Sequence, residues 1–350
     1  MSRIRFRSLG RCAAASLIAG GALLLSAAPT RAQGSVVVYC SVLVDWCNLM
    51  STTFERQTGI RVTMTQRGSG ETMAQIRAEA ANPRADIWWG GTGDPHLQAA
   101  EAGLTQPYRS PTIEKLHPWA RRQAEQSGYR TVGIYAGMLG MAYNTEILAR
   151  KRVAVPRCWR DLVRPEYRDE VQMSNPASSG TAYTAVATLV QLFGEEGAFD
   201  YLKQLHRNVS QYTRSGPAPA RNTARGETMI GIMFLHDAVA EAVEGAPVAV
   251  VSPCEGTGYE IGSMSVIAGA RNLDNAKRWY EFALTPEAQG LAGRAKSYQI
   301  PSHPDAPVPP QSPKLADTKL IDYDFAKYGS NVERTRLISR WERDVATLPR

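Results

Sequence analysis

The chain has 350 residues, with 40 basic against 33 acidic for a formal net charge of +7, and 43% of its residues are hydrophobic. Five arginines and no acid fall within residues 1–32, so residues 33–350 carry 35 basic against 33 acidic side chains. That near-neutral body excludes a nucleic-acid footprint and a polybasic membrane patch, and its length of about 318 residues exceeds one hydrophobic core, which favours two lobes.

Residues 1–32 predict a secretory signal peptide. Arg3, Arg5, Arg7 and Arg11 form a basic start, residues 12–28 are apolar and small, and Thr30-Arg31-Ala32 offers a cleavage site near Ala32. The apolar run is short, rich in Ala and Gly, and followed by Pro29 and Arg31, which disfavours a membrane anchor. Export to the periplasm is expected. Four cysteines then remain in an oxidising compartment, which makes two disulfides the default. The favoured pairing is Cys40 with Cys47, close enough in sequence to close a strand-to-helix turn, and Cys158 with Cys254, which flank the middle of the chain and would staple one lobe. No metal-site spacing accompanies them.

In chain order, residues 35–40 form a continuous apolar run, as for a strand covered on both faces. A helical stretch through Leu49, Met50 and Phe54 ends at Gly59, residues 60–64 alternate as a second strand, and Ser69-Gly70-Glu71 leads into a helix over 72–81. This βαβα order opens a parallel α/β sheet. Residues 85–89 give a third strand, ending in Gly90-Gly91-Thr92-Gly93-Asp94-Pro95. That turn matches no phosphate-loop motif, yet a glycine-rich turn feeding a helix presents free amides to an anion or an acceptor-rich ligand. Trp88 and Trp89 are expected in the core rather than as a stacking platform.

Residues 133–144 are apolar and glycine-interrupted, as for strands passing from one lobe to the other. After a strand at 170–173, Ser178, Ser179 and Thr181 stand at the start of a long helix, where hydroxyls and orphan amides suit a phosphate, sulfate or carboxylate; plain N-capping is the alternative. Residues 231–237 form an apolar strand-length run that delivers His236 and Asp237 at its end. Two readings stand: recognition groups at a strand's carboxyl end, or Asp237 as the N-cap of the next helix. Glu255, among glycines after the strand at 247–251, pairs with a sugar hydroxyl or an ammonium in one reading and is a solvated turn acid in the other. Residues 261–267 return to the first lobe, helices follow near 273–284 and 286–295, a proline-rich strap spans 301–313, and an amphipathic helix covers 333–346.

Together, the opening at 36–41, Ser69-Gly70-Glu71, the stretch 85–91, the stretch 174–181, Gly226-Glu227 with Gly231-Ile232, and Pro253-Cys254-Glu255 resemble the periplasmic substrate-binding proteins of ABC importers, in the ferric-iron-type group. The resemblance implies an α/β protein with the two-lobed type II periplasmic binding protein fold, each lobe a mixed, mostly parallel sheet flanked by helices. Hinge strands join the lobes, which close like a flytrap on a ligand. The expected division is 33–138 with 260–350 as lobe 1, and 139–259 as lobe 2.

Ferric-binding members use adjacent tyrosines, hard phenolate donors. This chain has no Tyr-Tyr pair and carries His236-Asp237 near that place. It is closer to the branch that binds sugar phosphates, where a His-Asp pair and a later glutamate hold the sugar. By that resemblance His236, Asp237 and Glu255 meet ligand hydroxyls, and Ser41, Ser69, Ser178, Ser179 and Thr181 meet the phosphate. It implies a monomer that serves the transmembrane subunits of an ABC permease, with no cofactor and no nucleic acid. The alternatives are 2-aminoethylphosphonate or ferric ion as ligand, a sensor-kinase partner, or a secreted phosphate-ester enzyme. Adjacent residues on a strand point to opposite sides, which argues against a His236-Asp237 catalytic dyad.

Overall fold

The computed structural model describes residues 34–350, so the expected signal peptide lies outside the described residues. The apolar opening forms β1 (Ser35–Cys40), followed by α1 (Val44–Thr58), β2 (Arg61–Gln66), α2 (Ser69–Ala78), β3 (Ile87–Trp89), α3 (Gly93–Glu101), β4 (Thr105–Gln106) and α4 (Pro118–Gln126). Gly59 ends α1 at φ 70°, a left-handed cap that side chains resist. β1 pairs in parallel with both β2 and β3, as the βαβα reading requires.

The glycine-interrupted stretch is one strand, β5 (Val132–Asn144), shared by two sheets. Its first half pairs antiparallel with β10 (Tyr259–Ile267) and its second half with β8 (Ile230–Phe234). Between them run α5 (Thr145–Lys151), β6 (Val171–Ser174), α6 (Gly180–Phe193), α7 (Glu195–His206), β7 (Val209–Thr213), α8 (Ala218–Ala224), α9 (Leu235–Val243) and β9 (Val248–Val251). After β10 come α10 (Leu273–Ala283), α11 (Pro286–Arg294), β11 (Ile300–Pro301), α12 (Phe325–Tyr328) and α13 (Asn331–Trp341). The strand order is β2-β1-β3-β10-β5-β8-β6-β7.

Two large cores flank the shared strand. One gathers Phe54, Trp89, Trp279 and Tyr280; the other gathers Trp159, Tyr167, Tyr183 and Phe199. Trp88 is fully buried and stacks on His96 at 3.6 Å, so both tryptophans belong to cores.

The tail departs from the expected division, which places 260–350 with the first lobe. Tyr323, Tyr328, Leu337, Trp341 and Val345 pack into the second core. Leu337, Trp341 and Val345 share one face at helical spacing, and Arg336 and Arg340 bond Glu195 of α7, which holds α13 there. Both disulfides join the expected partners, Cys40 to Cys47 and Cys158 to Cys254. Among the described residues no helix is long and apolar enough to cross a membrane.

Candidate functional site

A cleft of about 670 Å³ is lined from both sides of the shared strand. Three helices begin on it. The N-caps of α2, α3 and α6 are Gly68, Thr92 and Ser179, and none of their side chains bonds a backbone N–H of its helix. Each terminus therefore presents orphan amides and the positive end of its dipole. Hydroxyls stand around them. Ser69 Oγ accepts from the Thr92 N–H at 3.2 Å, Ser41 Oγ accepts from Trp88 Nε1 at 2.9 Å, and Ser174 Oγ donates to Ser179 Oγ at 2.9 Å. Thr181 lines the same wall, and Thr92 Oγ1 is buried without a partner.

Glycine makes this close approach possible. A Cβ on Gly180 would overlap the Thr92 side chain, and one on Gly91, at φ 87°, would come within 2.7 Å of Ser41 Cβ. A Cβ on Gly70 would come within 2.8 Å of the carbonyl oxygens of Ala177 and Ser178, so the two walls are closed on one another. Glu71 and Arg214 tie them on one flank, with Nε to Oε1 at 2.7 Å, and Lys296 pairs with Glu244 at the mouth.

A second set of polar groups lines the same cleft. His236 and Asp237 lie in the first turn of α9 rather than at the end of a seven-residue strand, because β8 stops at Phe234 and the helix begins at Leu235. The helical turn brings the two side chains together rather than apart: His236 Nε2 is 3.6 Å from Asp237 Oδ1 and 3.9 Å from Glu260 Oε1. Glu260 comes from β10, whose register sets it opposite Gly137 of β5. A Cβ on Gly137 would stand 2.6 Å from His236 Nδ1 and 3.0 Å from Glu260 Oε1, so only glycine leaves room for the cluster.

Burial dominates the electrostatics here. It pushes the His236 imidazole down to about 3, Asp237 up to about 7, and Glu260 well above the usual carboxyl range, the last aided by the charges of Asp237 and Asp94. No arginine or lysine among the described residues lies within 4 Å of Asp237 or Glu260, and His236 Nδ1 is buried without a partner. Buried polar atoms left unpaired inside a cleft are groups prepared for a ligand.

The family of bacterial extracellular solute-binding proteins matches residues 82–328. The chain belongs to it. Among solved structures, the periplasmic binding protein AfuA from Actinobacillus pleuropneumoniae, with exogenous fructose-6-phosphate bound, is 47% identical, with a TM-score of 0.89 over 90% of this chain and 100% of that one. The periplasmic binding protein P5PA is 41% identical, with a TM-score of 0.87 over 89% of this chain and 100% of that one. A Haemophilus influenzae protein of uncharacterised activity is 45% identical over 98% of this chain and 99% of its own. The resemblance drawn from the sequence is borne out, as is the two-lobed type II fold, and both of these solved structures are of periplasmic binding proteins.

Within this solute-binding protein, six of the eight residues expected at the site line the cleft: Ser41, Ser69, Ser179, Thr181, His236 and Asp237. Two do not. Ser178 turns to the outer flank, where its Oγ donates to the Arg214 carbonyl at 3.0 Å. Glu255 accepts from the backbone N–H groups of Trp159 and Arg160 at 2.8 and 3.0 Å, capping the short turn Trp159–Val163 beside the second disulfide. The glutamate that stands beside His236 in the cleft is Glu260, five residues on. Its signal in the sequence is a lone carboxylate within the returning apolar strand, where burial without a role is costly. Thr92 belongs to the glycine-rich turn already marked for its free amides, whereas Tyr135 and Arg221, which also line the cleft, leave no local signal.

Proposed function

We propose that the protein, as a monomer, captures a phosphorylated sugar in this cleft, hexose phosphates first, and presents it to the transmembrane subunits of an ABC importer. The observation that carries the reading is the division of labour within one cleft: uncapped helix amides with hydroxyls in one set, unpaired buried carboxyls with a neutral imidazole in the other. A phosphate accepts from the amides of α2, α3 and α6 and from Ser41, Ser69, Thr92, Ser179 and Thr181. Sugar hydroxyls donate to Asp237 and Glu260, and His236 supplies a neutral donor or acceptor. A bond to an ionised carboxylate is about twice as strong as a neutral one. AfuA, taken with fructose-6-phosphate bound, supports the ligand class.

The unpaired acids also favour a second reading, 2-aminoethylphosphonate, whose ammonium would meet Asp237 and Glu260. Calorimetric titration of the mature protein with fructose-6-phosphate, glucose-6-phosphate, free hexoses, inorganic phosphate, 2-aminoethylphosphonate and ferric citrate tests both. A hexose phosphate is expected to bind best. Heat from ferric citrate alone, with a charge-transfer colour, overturns the assignment.

A further inference from the structure

Tyr135 lines the cleft from β5 and belongs to neither of its two sets of polar groups. The β5–β10 register sets Gly262 opposite Tyr135 and Gly137 opposite Glu260, side by side. Residues two apart on a strand share a face, so the Tyr135 ring and the Glu260 carboxyl occupy neighbouring places on one face of the sheet. Each lies over the glycine across from it. A Cβ on Gly262 would overlap the Tyr135 ring, and one on Gly137 would stand 3.0 Å from Glu260 Oε1. Trp46 packs against the same ring, with centroids 5.5 Å apart.

The phenol oxygen fixed in this way reaches the amide end of the cleft. The Gly91 N–H donates to it at 2.9 Å, and the next N–H along the turn, that of Thr92, goes to Ser69 Oγ. A phenolic hydroxyl both accepts and donates. Gly91 fills the accepting role, and among the described residues no acceptor takes the hydrogen. Burial and the nearby charge of Glu260 hold the hydroxyl in its neutral form, far above its usual ionisation range. Tyr135 therefore offers a constant donor where the two ends meet, bonded to Gly91 on one side and next to Glu260 on the other.

A ligand that lays its phosphate at the first end and its hydroxyls at the second runs its linking atom past this hydroxyl. In a phosphate ester that atom is an oxygen, which accepts a hydrogen bond. In a phosphonate it is a carbon, which does not. We propose that Tyr135 is a ligand-contacting residue that sets specificity: its hydroxyl donates to the ester oxygen joining phosphate to sugar, so that the cleft prefers phosphate esters to phosphonates of the same shape. The claim rests on the function proposed above and deepens it.

The test titrates wild type and Y135F calorimetrically with fructose-6-phosphate, with its isostere carrying a methylene in place of the ester oxygen, and with inorganic phosphate, near pH 8.5 so that ester and isostere carry the same charge. Wild type is expected to bind the ester about tenfold tighter than the isostere, because the isostere leaves a buried donor unpaired, and Y135F to bring the two within about twofold. Y135F also takes the acceptor away from the Gly91 amide, which acts on every ligand alike, so the ratio of ester to isostere reads the contact. A ratio that Y135F leaves unchanged overturns the proposal, and so does a fall in affinity for inorganic phosphate as large as that for the ester. Wild type alone also decides: equal binding of ester and isostere ends this proposal and leaves the proposed function standing, whereas no binding of either ends both.

Discussion

The two ends of the cleft are built from different materials. The amide end is backbone, three helix termini with hydroxyls between them, and those amides and hydroxyls keep the same charge from acid to mildly alkaline pH. The acid end is side chain: Asp237, Glu260 and His236, each moved by burial away from its ordinary ionisation. An amide is a neutral donor and waits at little cost, whereas a buried carboxylate without a partner is penalised until a ligand arrives. Anchoring therefore belongs to the first end, and selectivity and pH response to the second.

The sharpest way to break that comparison is to remove the acids. D237A and E260A are expected to weaken fructose-6-phosphate by about 2–4 kcal/mol, on the order of 100-fold, because ligand hydroxyls would be buried without acceptors. Inorganic phosphate, which needs only the amide end, should change by less than about threefold. Calorimetry with both ligands checks this, and an equal loss for the two would mean the ends are not separate.

The reverse experiment crowds the amide end. A methyl on Gly180 overlaps the Thr92 side chain across the closed cleft. Overpacking costs about 1–3 kcal/mol, so G180A should weaken both ligands, roughly tenfold each. Adding T92A should recover part of the loss by clearing the space. A G180A protein that loses hexose phosphate alone would contradict the division.

A third contrast lies in how pH acts on the empty protein. Asp94 and Asp237 titrate at about 6 and about 7 in the fold, and Glu260 well above its ordinary value, all higher than in the unfolded chain. The unfolded chain thus releases these protons first, and as pH rises from about 4 towards 7 the acids subtract stability. His236 acts oppositely: its neutral form is stable above about 6.5, and stability is lost as pH falls towards 3. E260Q should raise the melting stability of the unliganded protein by about 1 kcal/mol near pH 7.5 and by less near pH 5. Thermal unfolding at the two pH values decides it; a gain that is larger at pH 5 reverses the assigned ionisation.

The two ends also differ in how much of them can be seen in the sequence. Ser69-Gly70, Gly91-Thr92-Gly93 and Ser179-Gly180-Thr181 each precede a helical run, and a helix terminus is a local feature that residue types announce. What local reading cannot supply is rotation about the helix axis, which is why residue type alone groups Ser178 with Ser179 although one faces outward and the other the cleft. The acid end is assembled from α9, β10 and β5, and Glu260 reaches His236 only through the β5–β10 register and the gap at Gly137. That pairing joins residues more than a hundred positions apart. The tail presents the same difficulty at larger scale: the amphipathic face of α13 is plain, but which core receives it depends on Glu195, far upstream.

The smallest expected effect tests the boundary of the acid end. Glu255 and Glu260 sit on one segment and have the same side chain, yet Glu255 is half-buried and spends both carboxylate oxygens on the amides of Trp159 and Arg160. Those bonds are a cap, and caps are worth about 1 kcal/mol. E255A should therefore cost about that much in stability by denaturant unfolding, and leave fructose-6-phosphate affinity within about twofold because no atom of Glu255 lines the cleft. The disulfide from Cys158 to Cys254 holds this turn from beside the cap and limits how far its loss can spread. A large fall in affinity with unchanged stability would move the ligand's sugar end from Glu260 to Glu255 and redraw the cleft around the second disulfide.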